Sequence, residues 1–271
     1  MSTAAPTPST KRNLRQPSKS EHQIISVLGA YYRAAKSRKV NQVLRIQHHP
    51  GRNEPILVLG MGVLRYIEYY LARLLFHVKG HDKKLFTNSP LFNDIPKNIK
   101  VESPDVGPSG SHLTVDHTQF GESKFPELKW SLMPDAAISE TNIQEYMLIC
   151  EDPDAPLPIV PNHGMYYAIP ATKTRIGPED IEVDSDRDAG EGKWLRGGFR
   201  LGKNFRGTLY SGPRPPVGHG EHRYFFQVVA LKERVDIAAM KPLATRDELV
   251  ENMRGKISGW GVWVGVFEHK W

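Results

Sequence analysis

The chain has 271 residues, which suffices for one large domain with an extension, and a single cysteine, Cys150, which excludes an intrachain disulfide. Its 36 lysines and arginines outnumber 30 aspartates and glutamates, but the excess lies early: 15 basic against 4 acidic side chains up to Lys84, and 21 against 26 afterwards. No nucleic-acid-reading module accompanies this charge and no Asn-x-Ser/Thr sequon occurs, so we predict an intracellular protein without a nucleic-acid partner.

The first 20 residues are rich in Ser, Thr and Pro and carry four basic side chains but no acidic one. They lack the apolar core of a secretory signal peptide, which indicates a disordered basic tail over residues 1–20. A mitochondrial transit peptide is the alternative, although the early prolines oppose its amphipathic helix. We therefore expect a cytoplasmic location, with a mitochondrial one left open.

Residues 21–84 are predicted to form a basic helical extension. Within it, apolar side chains recur at helical spacing over residues 63–79, at Leu64, Ile67, Leu71, Leu74, Leu75 and Val78. Arg65, Glu68 and Arg73 interrupt the stretch, so a transmembrane span is not expected. The apolar face either docks on the following domain, which we favour, or makes peripheral contact with a membrane through residues 60–79.

The remainder of the chain, residues 85–271, reads as short strands separated by Gly and Pro. The predicted strands cover residues 99–101, 112–115, 128–130, 146–150, 165–169, 222–231 and 260–267. This spacing is typical of a β-sandwich or barrel. One helix is expected over residues 245–257, because Thr245 and Glu248 form a capping box. The acidic segment 180–191 is predicted to be a solvated loop.

Two loop motifs carry the chemistry. The first, Cys150-Glu151-Asp152-Pro153-Asp154-Ala155-Pro156, closes the apolar run 146–150, and His163 follows it. Its prolines favour extended backbone, so both aspartates belong to a stiff loop at the end of a strand. The second motif is a Gly/Pro loop from Ser211 that runs through Gly220-Glu221-His222-Arg223-Tyr224 into the apolar run 225–231. Both loops deliver acidic or imidazole groups to the end of a β structure.

These two motifs, in this order and with a histidine between them, resemble the phosphatidylethanolamine-binding proteins (PEBP), also called the Raf kinase inhibitor family, in their bacterial and fungal branch. The resemblance covers roughly residues 86–271. It implies a mostly β fold, a PEBP-like β-sandwich with a few helices, to which the N-terminal helical extension is added.

The resemblance also implies the site. Its ligand-binding residues would be Asp152, Asp154, Ala155, His163, Pro215, Pro216, His222 and Tyr224, and the candidates for catalysis among them are Asp152, His163 and His222. In this chain Gly164 replaces the aromatic residue that the family often places beside the histidine.

Elementary chemistry independently supports an anion site, because a carboxylate can fix one nitrogen of a histidine and present the other to a ligand oxygen. His219 and His222 have the spacing of half a zinc site, but no further ligands complete it, so no metal and no cofactor are expected. Cys150 lies inside an apolar strand, where a thiol is normally inert.

Three functions are compatible with these features. The first is a binding protein for a small anionic or phosphorylated ligand, without turnover. The second is an enzyme or enzyme accessory in fungal secondary metabolism, which would give acid–base assistance to condensation or cyclisation of anionic intermediates such as maleic anhydrides. The third, implied by the resemblance alone, is a kinase or protease inhibitor that acts through a protein partner.

Overall fold

The computed structural model describes residues 55–136, 138–187 and 193–271, and for residues 55–64 it describes the backbone only. The described residues belong to one compact unit, Glu54–Trp271. Residues 55–84, predicted as part of the extension, therefore share a unit with the strands. The predictions for residues 1–20 and for the extension before residue 55 lie outside the described residues.

Within the described ranges, eight strands form two antiparallel sheets. The three-stranded sheet has the order β1-β2-β5, and the five-stranded sheet has the order β6-β4-β3-β7-β8. Their bounds are β1 Ile99–Glu102, β2 Leu128–Leu132, β3 Glu145–Glu151, β4 Asn162–Pro170, β5 Arg175–Ile176, β6 Arg200–Leu201, β7 Glu221–Leu231 and β8 Ile257–Glu268. The predicted mostly β sandwich is confirmed.

The five-stranded sheet is buried on both faces, which explains the uninterrupted apolar run of β3. Tyr146, Leu148 and Cys150 point into the core between the two sheets, which also contains Trp130 of β2. The alternate residues of β3, Met147 and Ile149, join a second core that is covered by short helices and turns. All seven residues of β3 are therefore buried, as expected for a strand without a solvent face.

Several local predictions differ from the structure. Residues 112–115 form an isolated bridge to β8 and the start of a 3-10 turn, not a strand. The short strands β5 and β6 were not predicted. Helix α2, Arg246–Asn252, has the expected capping box at Thr245, but Ile257 already belongs to β8. In the acidic segment, Asp180 is buried because it pairs with Lys173 at 2.8 Å and accepts from the backbone N–H of Gly177.

Helix α1, Pro55–Leu74, lies against the β unit through a face that coincides only in part with the predicted one. Ala72 and, just after the helix, the predicted Leu75 are buried, whereas the predicted Ile67 and Leu74 are exposed, together with Tyr66 and Tyr70. The small side chain of Ala72 allows close approach at the contact. No helix of the described residues is long and apolar enough to cross a membrane. Peripheral membrane contact through the exposed face stays a prediction.

A glycine pair tests whether the docking of α1 stabilises the fold. A Cβ atom at Gly218 would lie 2.5 Å from two ring carbons of Tyr69 in α1, whereas at Gly207 no atom lies within 4 Å. Both glycines have positive φ, so both alanine variants carry backbone strain of about 1 kcal/mol. Gly218→Ala should therefore lower the free energy of unfolding by about 2–3 kcal/mol and Gly207→Ala by about 1. Denaturant titration measures both, and equal losses would contradict docking.

Candidate functional site

The sheet topology brings the two loop motifs together. The first motif follows the C-terminal end of β3, and the second leads into the N-terminal end of the neighbouring strand β7, with Glu151 opposite Phe225. Antiparallel neighbours place these two ends at the same edge of the sheet. The backbone N–H of Asp154 donates to Oδ1 of Asp152 at 2.9 Å, which holds the first loop in a tight turn. Asp152 and His222 meet where the two loops adjoin.

Four groups form a continuous buried hydrogen-bond chain. Asp152 Oδ2 lies 2.9 Å from His222 Nδ1, and His222 Nε2 lies 2.8 Å from His219 Nδ1. His219 Nε2 in turn donates to the backbone carbonyl of Leu75 at 2.9 Å. Asp152, His219 and His222 are almost completely buried. Burial, followed by the charge on His222, lowers the pKa of His219 to about 4.

This chain changes the expected role of His222. The sequence predicts that a carboxylate fixes one ring nitrogen of a site histidine while the other nitrogen faces a ligand oxygen. The pairing with Asp152 is present, but the second nitrogen bonds to His219. Both nitrogens of His222 are therefore occupied by protein groups.

Of the two histidines predicted to bind the ligand, His163 has a ring nitrogen without a hydrogen-bond partner among the described residues. Its Nδ1 donates to the carbonyl of Ser211 at 2.6 Å, and its Nε2 is buried without a hydrogen-bond partner among the described residues. The ring packs edge-on against Tyr224, with centroids 5.1 Å apart. Burial lowers the pKa of His163 below its ordinary value, although the carboxylate of Asp152 opposes this shift. His163 is thus a neutral imidazole with its lone pair on Nε2.

The glycine after His163 has a steric reason. A Cβ atom at Gly164 would lie 2.6 Å from the hydroxyl oxygen of Tyr166, which donates to the carbonyl of Leu209 at 2.9 Å. An aromatic residue at position 164 would require Tyr166 to move. The space that such a residue would need is taken by the ring of Tyr166, which is completely buried.

Asp154 is held in the site by hydrogen bonds from other protein groups. It accepts from the backbone N–H of Gly80 at 3.1 Å and from the backbone N–H, Nε and Nη2 of Arg223 at 2.8–2.9 Å. Arg223 also makes two 2.9 Å hydrogen bonds to the carboxylate of Asp82. Burial would raise the pKa of Asp154, but the bonds from Arg223 outweigh it and the pKa is lowered. Arg223 thus pairs through two nitrogens with each of the carboxylates of Asp154 and Asp82.

The other predicted site residues are buried in the same loops. Ala155, Pro215, Pro216 and Tyr224 are nearly inaccessible to solvent, and their contact with a ligand stays a prediction. Cys150 is fully buried, and burial raises the pKa of its thiol well above the ordinary value, in keeping with an inert side chain. Across the described ranges, no group of three His, Cys, Asp or Glu side chains is arranged to hold a metal ion.

Comparison with known proteins assigns the chain to a family and matches its fold to a solved structure. Residues 103–268, more than half of the chain, match the sequence model described as phosphatidylethanolamine-binding protein. The chain belongs to the phosphatidylethanolamine-binding protein family. The Escherichia coli protein YbcL, described as a new member of the mammalian PEBP family, has a similar fold, with a TM-score of 0.50 and 23% identity over 63% of this chain and 98% of that one.

Among curated PEBP relatives, two carry the description phomoidride biosynthesis cluster protein B. The protein from Talaromyces stipitatus is 42% identical over 210 residues, which cover 77% of this chain and 84% of the relative. The one from a fungal species is 39% identical over 210 residues, which cover 77% of this chain and 97% of the relative. A UPF0098 protein of Methanothermobacter thermautotrophicus is 35% identical over 172 residues, or 63% of this chain and 97% of that protein.

Part of the site lies outside the region matched by the PEBP model. We call residues 75–82 the α1 turn; it supplies the Leu75 carbonyl, the Gly80 N–H and Asp82. It also contains His81, whose Nε2 is buried without a partner among the described residues and whose pKa is lowered by burial. Sequence reasoning missed His81 and the structural role of His219, because the α1 turn carries no motif and His219 was considered only as a metal ligand.

Proposed function

We propose that this PEBP binds a small anionic ligand, with Nε2 of His163 as the contacting atom. The observation that supports the proposal is the buried Nε2 of His163, which has no partner in the part of the chain that the structure describes, since buried polar atoms normally have one. The bond from Nδ1 to Ser211 fixes the ring, so the vacant nitrogen is held in one direction. Asp152 and His222 are hydrogen-bonded to each other and, in this proposal, form the wall beside that nitrogen.

Anion binding at this atom requires a proton. A neutral Nε2 can only accept a hydrogen bond, and an anion also accepts, so the two attract only when His163 is protonated. Burial lowers the pKa of His163, whereas a bound anion would raise it. At a pH above the pKa of His163 in the ligand-free protein, the ligand and a proton should therefore bind together.

Sulfate is a suitable probe because its charge does not change across the neutral range. We expect its binding to take up close to one proton and its affinity to fall by up to about tenfold per pH unit between about pH 6.5 and 8. Isothermal titration calorimetry in buffers of different ionisation enthalpy measures both quantities. Binding without proton uptake and with constant affinity would contradict the proposal. Repeating the titration with glycerophosphoethanolamine and with fumarate distinguishes a phosphate headgroup from a carboxylate ligand.

A second candidate function is acid–base assistance in fungal secondary metabolism. Two fungal relatives carry a biosynthesis-cluster description, and a neutral, buried imidazole with a free lone pair is suited to act as a general base. His163 would remove a proton from the side-chain carbon attached to the ring double bond of an anionic alkyl maleic anhydride, and the resulting carbanion, delocalised onto the ring carbonyl, would add to the double bond of a second molecule. The test is whether the purified protein accelerates consumption of a carboxylate-bearing alkyl maleic anhydride, followed by mass spectrometry.

A further inference from the structure

The α1 turn contacts both loop motifs of the site. The carbonyl of Leu75 accepts from His219, the N–H of Gly80 donates to Asp154 at 3.1 Å, and the N–H of His81 donates to the carbonyl of Pro153 at 2.9 Å. Asp82 adds the two hydrogen bonds to Arg223 described above. Because the region matched by the family model begins at residue 103, these contacts come from a part of the chain that the matched region does not include.

The directions of the hydrogen bonds fix the protons of the buried chain. A carbonyl oxygen only accepts, so His219 must carry its hydrogen on Nε2 to bond with Leu75. His219 is neutral near pH 7, since its pKa is about 4, and its Nδ1 is therefore an acceptor. Nε2 of His222, 2.8 Å away, must then be the donor. One more proton lies between Nδ1 of His222 and Asp152, so the three side chains together carry no net charge.

We infer that His219 is a positioning residue of the site, through which the Leu75 carbonyl of the α1 turn keeps Nε2 of His222 protonated and turned away from the ligand. If His222 lost that proton, the lone pairs of two ring nitrogens would face each other at 2.8 Å. The bond to Leu75 thus holds His222 as the partner of Asp152 and leaves His163 as the residue that meets the ligand.

The surroundings of His219 are consistent with this role. The groups that act on it electrostatically are His222 and Lys79, which oppose its protonation, and Asp152, which favours it. The ring of Phe76 lies 6.4 Å from the imidazole and covers it from the side of the α1 turn. A Cβ atom at Gly220 would lie 3.0 Å from the same ring, so little space is left around His219.

The test is the protonation of His222 in the ligand-free protein, read from the ¹⁵N shifts of its ring in histidine-labelled samples. We expect Nε2 of wild-type His222 to have the shift of a protonated, hydrogen-bonding nitrogen, because Nδ1 of His219 accepts from it. In His219→Ala the acceptor is lost, so the Nε2 shift should move away from that value. His219→Asn places an amide oxygen near the position of Nδ1 and should restore much of the wild-type shift. His77→Ala, which removes an exposed imidazole within the α1 turn, is the matched control and should change nothing.

The outcomes separate this inference from the proposed function on which its biological meaning rests. If Nε2 of wild-type His222 has the shift of an unprotonated nitrogen, or if His219→Ala leaves the shift unchanged, the inference is overturned whatever sulfate does. If His222 behaves as expected while wild-type protein fails to bind sulfate, the positioning role of His219 is supported and the proposed anion site is not. The wild-type spectrum alone decides the first point if the alanine variant does not fold.

Discussion

Replacing His163 with alanine is expected to weaken sulfate binding by about 10- to 100-fold near pH 6.5. The variant loses a hydrogen bond from a charged donor to an anion, an interaction that contributes about 1.5–3 kcal/mol, and each 1.4 kcal/mol changes the dissociation constant about tenfold. The Nε2 atom concerned is buried and has no protein partner to replace among the described residues. Calorimetric titration of both proteins under identical salt and pH measures the change.

Two further variants decide why the affinity changes. His163→Gln places an amide N–H near the position of Nε2, so it should recover part of the affinity while losing proton uptake and the pH dependence. His112→Ala removes a mostly exposed imidazole elsewhere on the molecule and should bind like the wild type. Unaltered binding in His163→Ala, or a glutamine variant that keeps the pH dependence, would show that another group meets the anion.

The same three variants separate binding from acid–base assistance. A base must accept a proton, which glutamine cannot do, so His163→Gln should bind the probe but not accelerate condensation of the anhydride. General acid–base groups typically contribute 10²- to 10⁴-fold to a rate. Equal rates with and without wild-type protein would rule out acid–base assistance, and only the binding function would remain.

The sequence was sufficient for the longer strands, and the family resemblance for the meeting of the two motifs. The run 146–150 is apolar at every position because β3 is buried on both faces, and the prolines after it stop the strand where the site begins. These features follow from local patterns, so they could be predicted. The histidine at the start of β7 faces Asp152 because the two strands are neighbours, and only the resemblance implied that pairing of the motifs.

The role of the α1 turn could not be predicted in this way. Its contribution to the buried chain is a backbone carbonyl, at Leu75, and every residue has one, so no side-chain pattern marks it. The docked face of α1 was predicted only in part for a related reason. Periodicity selects large apolar residues, of which Leu75 is buried but Ile67 and Leu74 are exposed, whereas the contact also depends on the small Ala72 and the fit of Tyr69 to Gly218.

Asp154→Ala is expected to lower the free energy of unfolding by about 3 kcal/mol. The carboxylate is almost fully buried and accepts four hydrogen bonds, so its removal leaves the backbone N–H groups of Gly80 and Arg223 without their acceptor. The guanidinium of Arg223 is partly exposed and keeps Asp82, which limits the cost. Denaturant titration measures the loss. Asp82→Ala removes the more exposed carboxylate from the same arginine and should cost less than about 1 kcal/mol.

The pH dependence distinguishes the ionised carboxylate from mere filling of space. Because Arg223 lowers the pKa of Asp154 in the folded protein, its contribution is complete above the ordinary aspartate pKa of about 4 and is lost as the pH falls through the lower folded value. The isosteric variant Asp154→Asn keeps the volume but not the charge. Its stability deficit should be constant from about pH 5 to 7 and should shrink below about pH 4, as the wild-type carboxylate becomes protonated. An asparagine variant as stable as the wild type at pH 7 would mean that the shape of Asp154, and not its charge on Arg223, holds the α1 turn against the site.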